Sequence, residues 1–182
     1  MPTLPISSFR PLAAAAVLAV LAGCATMSAE ECRTADWYEI GMRDGQNGKS
    51  RSYFDEHVTS CKDAGVRPDL ARYTAGRDIG IRRFCTPDNG FEMGRQGNYY
   101  GNACPADLEY AFLQRYRAGK VIHDAQRRVD DLDTRLRERE RKLDRSKDDK
   151  EREQLRREIR DLDRDLRRAR DDLWDAERRA RR

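Results

Sequence analysis

Three hydrophobic patterns follow one another along the chain. Leu12 to Leu21 is an unbroken apolar run, about half the ~20 residues that a membrane-crossing helix needs. From there to Gly119, apolar residues recur at helical spacing in short stretches. This predicts helices near Thr34–Gln46, Tyr53–Lys62, Pro68–Phe84 and Phe91–Tyr99. Pro87-Asp88-Asn89-Gly90 reads as a turn between the last two. The expected core is Trp37, Ile40, Phe54, Val58, Leu70, Tyr73, Ile81, Phe84, Phe91, Met93, Phe112 and Tyr116.

The third pattern is an arm, Lys120 to Arg182, free of glycine and proline. Ile122, Ala125, Val129, Leu132, Leu136 and Leu143 form one apolar series. Leu155, Ile159, Leu162, Leu166, Ala169, Leu173, Ala176 and Ala180 form another. Both advance by threes and fours, as a coiled-coil seam does. Acid-then-base pairs four apart fill the polar faces: Asp124/Arg128, Asp131/Arg135, Asp133/Arg137, Glu138/Lys142, Glu153/Arg157 and Asp163/Arg167. The two series are out of phase across the polar stretch Arg145–Glu151, where Ser146 or Asp148 would cap a new helix. The arm therefore either folds back as a hairpin or runs on for ~95 Å as one rod that pairs with a second copy; the break favours the hairpin. Leu155, Ile159, Leu162, Leu166 and Leu173 are the candidate interaction seam.

Inside the middle segment a short motif recurs: Tyr38-Glu39-Ile40-Gly41, Tyr73-Thr74-Ala75-Gly76, Phe91-Glu92-Met93-Gly94 and Tyr116-Arg117-Ala118-Gly119. On a helix the aromatic residue and the glycine share a face, and the glycine leaves a notch for another helix. Glycine inside a helix costs about 1 kcal/mol relative to alanine, so its repeated use points to a packing need. For Gly48, Gly101 and Gly119, a helix-ending role fits equally well. The copies are unevenly spaced, which excludes a regular repeat array.

Chemistry enters at the end of the first apolar run. Leu21-Ala22-Gly23-Cys24 is a lipobox, and Arg10 supplies the positive flank of a signal peptide. The expected consequence is removal of residues 1–23 and acylation of Cys24. Two or more chains make a stable membrane anchor. Ala25 after the cysteine favours the outer membrane, facing the periplasm. Cys32, Cys61, Cys85 and Cys104 remain, and an even number in an exported chain reads as two disulfides. Three connectivities are open; Cys32–Cys61 with Cys85–Cys104 is favoured because each would bracket one helical segment. A zinc site using His57 or His123 is the competing reading, weakened by having only 2 histidines and no C-x-x-C.

Cys32-x4-Trp37-Tyr38-x2-Gly41-x2-Asp44-Gly45-x2-Gly48, Cys61, Tyr73-x2-Gly76-Arg77-x2-Gly80-x4-Cys85-Thr86-Pro87, Gly90-Phe91-x2-Gly94-x2-Gly97 and Cys104-Pro105 together resemble an uncharacterised bacterial lipoprotein family, domain-of-unknown-function family 2799. The resemblance spans roughly Cys24 to Gly119. It implies an envelope location and brings no assigned activity or catalytic residue.

The expected architecture is mostly α: a small disulfide-stapled helical domain at 24–119, then a long charged helical hairpin or coiled coil at 120–182. The whole chain has 37 Lys and Arg against 33 Asp and Glu, and along the arm acids nearly balance bases and leave no basic stripe, which argues against nucleic-acid binding. The terminal Arg178-Arg179-Ala180-Arg181-Arg182 complements a helix dipole. His57 and Cys61 formally allow a Cys–His pair, and Glu39 with Asp44 a carboxylate pair. Asp44-Gly45-Gln46-Asn47-Gly48 reads as a turn rather than a calcium loop. No catalytic residue, cofactor or metal is assigned. The expected function is a non-enzymatic envelope protein, tethered through Cys24, whose arm meets an envelope protein, the cell wall or a second copy. The alternative is a small envelope enzyme or ligand-binding domain with its site within residues 32–119.

Overall fold

A computed structural model of the protein describes residues 26–181 as seven helices, with no strand among those residues. They are α1 (Ala29–Thr34), α2 (Trp37–Gln46), α3 (Tyr53–Cys61), α4 (Leu70–Phe84), α5 (Pro87–Arg95), α6 (Ala106–Arg145) and α7 (Asp149–Ala180). The Leu12–Leu21 run and Cys24 lie outside the described residues.

Side-chain caps set most of the helix starts. Ser28 and Glu31 form a capping box at α1, and Asp36, Asp69 and Asp148 accept first-turn amides of α2, α4 and α7. Thr86 does the same for α5, which corrects the turn expected at Pro87–Gly90. Those four residues are the first turn of the helix, and Pro87 occupies the position where a missing N–H costs nothing.

The domain is built from two parallel helix pairs, α2 with α4 and α5 with α6. In the first, Gly41 lies under the Tyr73 carbonyl and Gly76 under the Tyr38 carbonyl. One turn on, Gly45 meets the Arg77 carbonyl and Gly80 the Met42 carbonyl. In the second pair, Gly94 lies under the Tyr116 carbonyl and Gly119 under the Phe91 carbonyl. All four copies of the aromatic-x-x-Gly motif are thus used reciprocally. Each glycine makes the notch, and the aromatic residue of the partner copy supplies the carbonyl that fills it. A Cβ at any of these six glycines would fall inside 3.0 Å of backbone, so only hydrogen fits.

Two small cores surround these contacts. Met27, Trp37, Ile40, Phe54 and Tyr73 pack around the Cys32–Cys61 disulfide, which ties α1 to the end of α3. Ile81, Tyr100, Ala103 and Phe112 pack around Cys85–Cys104, which joins the end of α4 to the residue before Pro105 and encloses α5. Loops of 29 and 19 residues make each bridge worth roughly 3–4 kcal/mol in the chain-entropy account. Val58 and Leu70, expected in the core, are 41% and 57% exposed. The inner face of α3 is Phe54, His57 and Cys61, which leaves Val58 a quarter-turn to the side. Leu70 is the first residue of α4 and lies a turn before that helix first meets α2.

No break occurs at Gly119, where the sequence places the domain boundary. The helix α6 runs through it, because Gly119 serves the α5 contact and not a cap. Beyond it α6 continues for about 40 Å at 1.5 Å per residue, turns at Ser146–Asp148, and α7 returns along it. Leu132 packs on Leu162, Leu166 and Ala169. At the base, Ile122 packs with Ala176 and Ala180 against Phe91. Arg139 reaches Glu158 at 2.8 Å across the hairpin and Lys142 reaches Glu151 at 3.1 Å. Lys142 is thereby withdrawn from the expected Glu138 pair, and Asp124 turns to Lys120 in place of Arg128. Asp131/Arg135, Asp133/Arg137, Glu153/Arg157 and Asp163/Arg167 form as expected.

Gly76→Ala is expected to lower unfolding stability by roughly 1–3 kcal/mol, because overpacking against the Tyr38 carbonyl outweighs the gain in helix propensity. Denaturant titration checks this; an unchanged or higher midpoint would contradict the close approach.

Candidate functional site

Polar side chains from three helices converge in the first core. Asp44 of α2, His57 of α3 and Tyr73 of α4 are 6%, 3% and 1% exposed. Asp44 lies on the buried stripe Trp37, Ile40, Gly41, Asp44 of α2, so the helix that packs on α4 also delivers a carboxyl group into the core. Its Oδ2 is 2.7 Å from His57 Nε2 and accepts from the Tyr73 hydroxyl at 3.0 Å. An ionised Asp44 only accepts, so Nε2 carries the shared proton. In the neutral imidazole Nδ1 then accepts from the Thr26 hydroxyl, 3.0 Å away. Trp37, Tyr53 and Tyr73 surround the imidazole with ring centroids 5.2–6.1 Å away.

The network ends at the chain's entry into the domain. Thr26 N–H donates to Ser60 Oγ at 3.0 Å, and the two hydroxyls are 3.1 Å apart. Met27 beside it is buried in the same core. Ser60, His57 and Asp44 therefore hold the segment leading into α1 through both its backbone and its side chain. Burial, together with the Asp44 carboxylate, pushes the Tyr73 phenol well above its ordinary value.

Carboxylate, imidazole and hydroxyl stand in the order used by acyl-transfer triads. Two pairings weighed from sequence are not formed. Cys61 is bonded to Cys32, so it makes no thiol–imidazole pair with His57. Glu39 is exposed while Asp44 is buried, and Asp44 and Gly45 lie in a helix, not in a turn. Asn47 and Gly48 do end that helix, Gly48 at φ 68°. His123 is away from this network; its Nδ1 donates to the Arg95 carbonyl at the end of α5. Among the described residues no three His, Cys, Asp or Glu side chains converge as a metal site.

The interaction seam is corrected as well. Leu155, Leu162 and Leu166 are buried, and Ile159 and Leu173 half-buried, on the inner face of the hairpin. The polar break supplies a three-residue turn and the Asp148 cap, so the seam finds its partner in its own chain. Arg152 completes the turn by donating to the Leu143 and Ser146 carbonyls, both at 2.8 Å. At the other end Arg115 donates to the Ala180 carbonyl at 2.8 Å, and Arg178 lies over the exposed Trp174 ring. Sequence reasoning missed the Asp44–His57–Tyr73 network. An acidic residue on the apolar stripe of α2 was the signal that could have found it.

Two outcomes follow from the network. Asp44→Ala strands buried partners and is expected to cost about 3–5 kcal/mol, measured by chemical denaturation; a loss below about 1 kcal/mol would contradict a closed network. A phenol pKa raised in the fold contributes stability that is fully present below its unfolded value, about 10, and is lost as pH climbs above it. Above pH ~10 the wild type should therefore lose stability more steeply than Tyr73→Phe. Parallel curves would contradict the assignment.

No curated protein and no solved structure matches the chain. A family model described as protein of unknown function (DUF2799) matches residues 36–121. That segment begins at the cap of α2 and ends two residues past Gly119, so it takes in both glycine-built pairs and leaves out Cys32, Thr26 and the distal hairpin. The domain carrying those pairs belongs to that family of unknown function.

Proposed function

We propose that this is a lipid-anchored protein of the cell envelope, facing the periplasm from the outer membrane, with a structural or interaction role and no catalytic one. Beyond the lipobox, one observation carries this reading. Thr26 and Met27 are fastened into the core, and Thr26 stands two residues after Cys24. Two residues span at most ~7 Å, so an acylated Cys24 would hold the domain against the lipid surface with no flexible stalk. The domain then becomes a fixed base, and the hairpin a spacer reaching about 40 Å from it. With its seam turned inward, the hairpin meets an envelope protein or the cell wall through its outer, charged faces.

Metabolic labelling with a palmitate analogue tests the anchor. The wild type should carry label in the membrane fraction, and Cys24→Ser should accumulate as a larger, unlabelled precursor. Label retained on Cys24→Ser would refute the proposal.

The order Asp44–His57–Thr26 favours one alternative, a small envelope enzyme with Thr26 as nucleophile. Against it, the Thr26 amide and hydroxyl are both engaged by Ser60, as suits a fastening. Covalent capture of the wild type by a fluorophosphonate, lost in Thr26→Ala, would favour the enzyme; no capture agrees with the fastening.

A further inference from the structure

A second polar feature lies outside the Asp44 network. Arg77 of α4 is 3% exposed. Its Nη2 donates to the Lys49 carbonyl at 2.7 Å and to the Ala103 carbonyl at 3.3 Å. Its buried Nε meets no acceptor. Among the described residues no carboxylate lies within ion-pair distance of Arg77 or of Arg51. Burying a cation with only neutral carbonyls around it is costly. Burial and the neighbouring Arg51 accordingly hold the Arg77 guanidinium below its ordinary pKa, while Tyr73, Asp78 and Asp44 act in the other direction.

Arg77 lines a cleft of about 370 Å³ together with Arg51, Asp78, Asn102 and the start of α6. Like α3, that helix starts without a side-chain cap. Pro105 at the cap position has no side-chain acceptor, and the Pro105 carbonyl takes the Leu108 and Glu109 amides, so the Ala106 and Asp107 amides at the start of a 40-residue helix have no side-chain cap. Helix amides and the positive end of the dipole attract anions, and a guanidinium presents donors in a planar fork. Asn102, at φ 52°, lines the same cleft. Asp78 is the one acid in the lining, so two arginines and a helix terminus leave the cleft positive.

We propose that the cleft between Arg51, Arg77 and the start of α6 binds a small oxyanion, the carboxylate or phosphate group of a larger ligand. The anion supplies the counter-charge that Arg77 lacks, and its remaining oxygens accept from the α6 amides. The volume admits a single such group with a few attached atoms, in keeping with the ~300 Å³ lower bound for ligand clefts.

The test is titration of the full chain in detergent with inorganic phosphate and, separately, acetate, at constant ionic strength set with chloride. The readout is the NMR shift of arginine Nε–H groups and of the Ala106 and Asp107 amides. Saturable shifts at those groups are expected. Saturation with phosphate alone identifies a phosphate-bearing ligand, and saturation with acetate alone a carboxylate. Arg51 is exposed, so Arg51→Gln should keep the melting temperature and weaken binding about tenfold. Arg77→Lys, which keeps the charge and loses the fork, should weaken it at least as much. Shifts that fail to saturate with either anion, or that persist unchanged in Arg51→Gln, would overturn the proposal.

Discussion

The contact on which this structure depends is backbone against backbone. Each helix pair approaches so closely that one strand of main chain lies in the notch of the other, and the notch exists only where glycine stands. Six interior glycines would cost about 1 kcal/mol each relative to alanine in an isolated helix. Here each one admits a carbonyl oxygen of the partner helix. Helices as short as α2 and α5, 10 and 9 residues long, are marginal alone, so the crossing is what makes them helices.

Everything with chemical interest is placed by those crossings. The register of α2 on α4 puts Asp44 opposite Tyr73 and brings both to His57. One turn further along α4 the same register buries Arg77, which bonds the Ala103 carbonyl and lines the cleft at the start of α6. The α5–α6 crossing fixes the first turns of a helix that then leaves the domain, so the hairpin inherits its direction from Gly94 and Gly119. Arg115 and Phe91 join the returning end of α7 to the same base. Domain and arm are mechanically one object, even though their compositions differ sharply.

Much of this was legible in the chain. The four aromatic-x-x-Gly copies announced close packing, and the phase break near Ser146 announced the fold-back, because both signals are local and periodic. The pairing of the copies was not legible, since a notch does not say which carbonyl will fill it. Pro87–Gly90 misled because proline and asparagine favour both a turn and a first helical turn, and only the Thr86 cap separates the two. Gly119 misled because a glycine followed by a charged stretch looks like an ending, whereas its role is set by α5, more than twenty residues away in sequence. Leu70 and Val58 have the right composition for a core and the wrong position relative to their partners. Asp44 was visible as a polar residue on an apolar stripe, while Thr26 and Ser60 carried no signal at all.

Residue-resolved hydrogen exchange on the intact, oxidised chain tests most directly whether the glycine crossings hold the molecule together. If they do, the amides of α2, α4, α5 and residues 106–122 of α6 exchange last and together, through one global opening, while the hairpin around residues 140–155 exchanges earlier and independently. Exchange in α2 and α4 faster than in the distal hairpin would contradict this, and would make the arm, not the crossings, the stable centre of the protein.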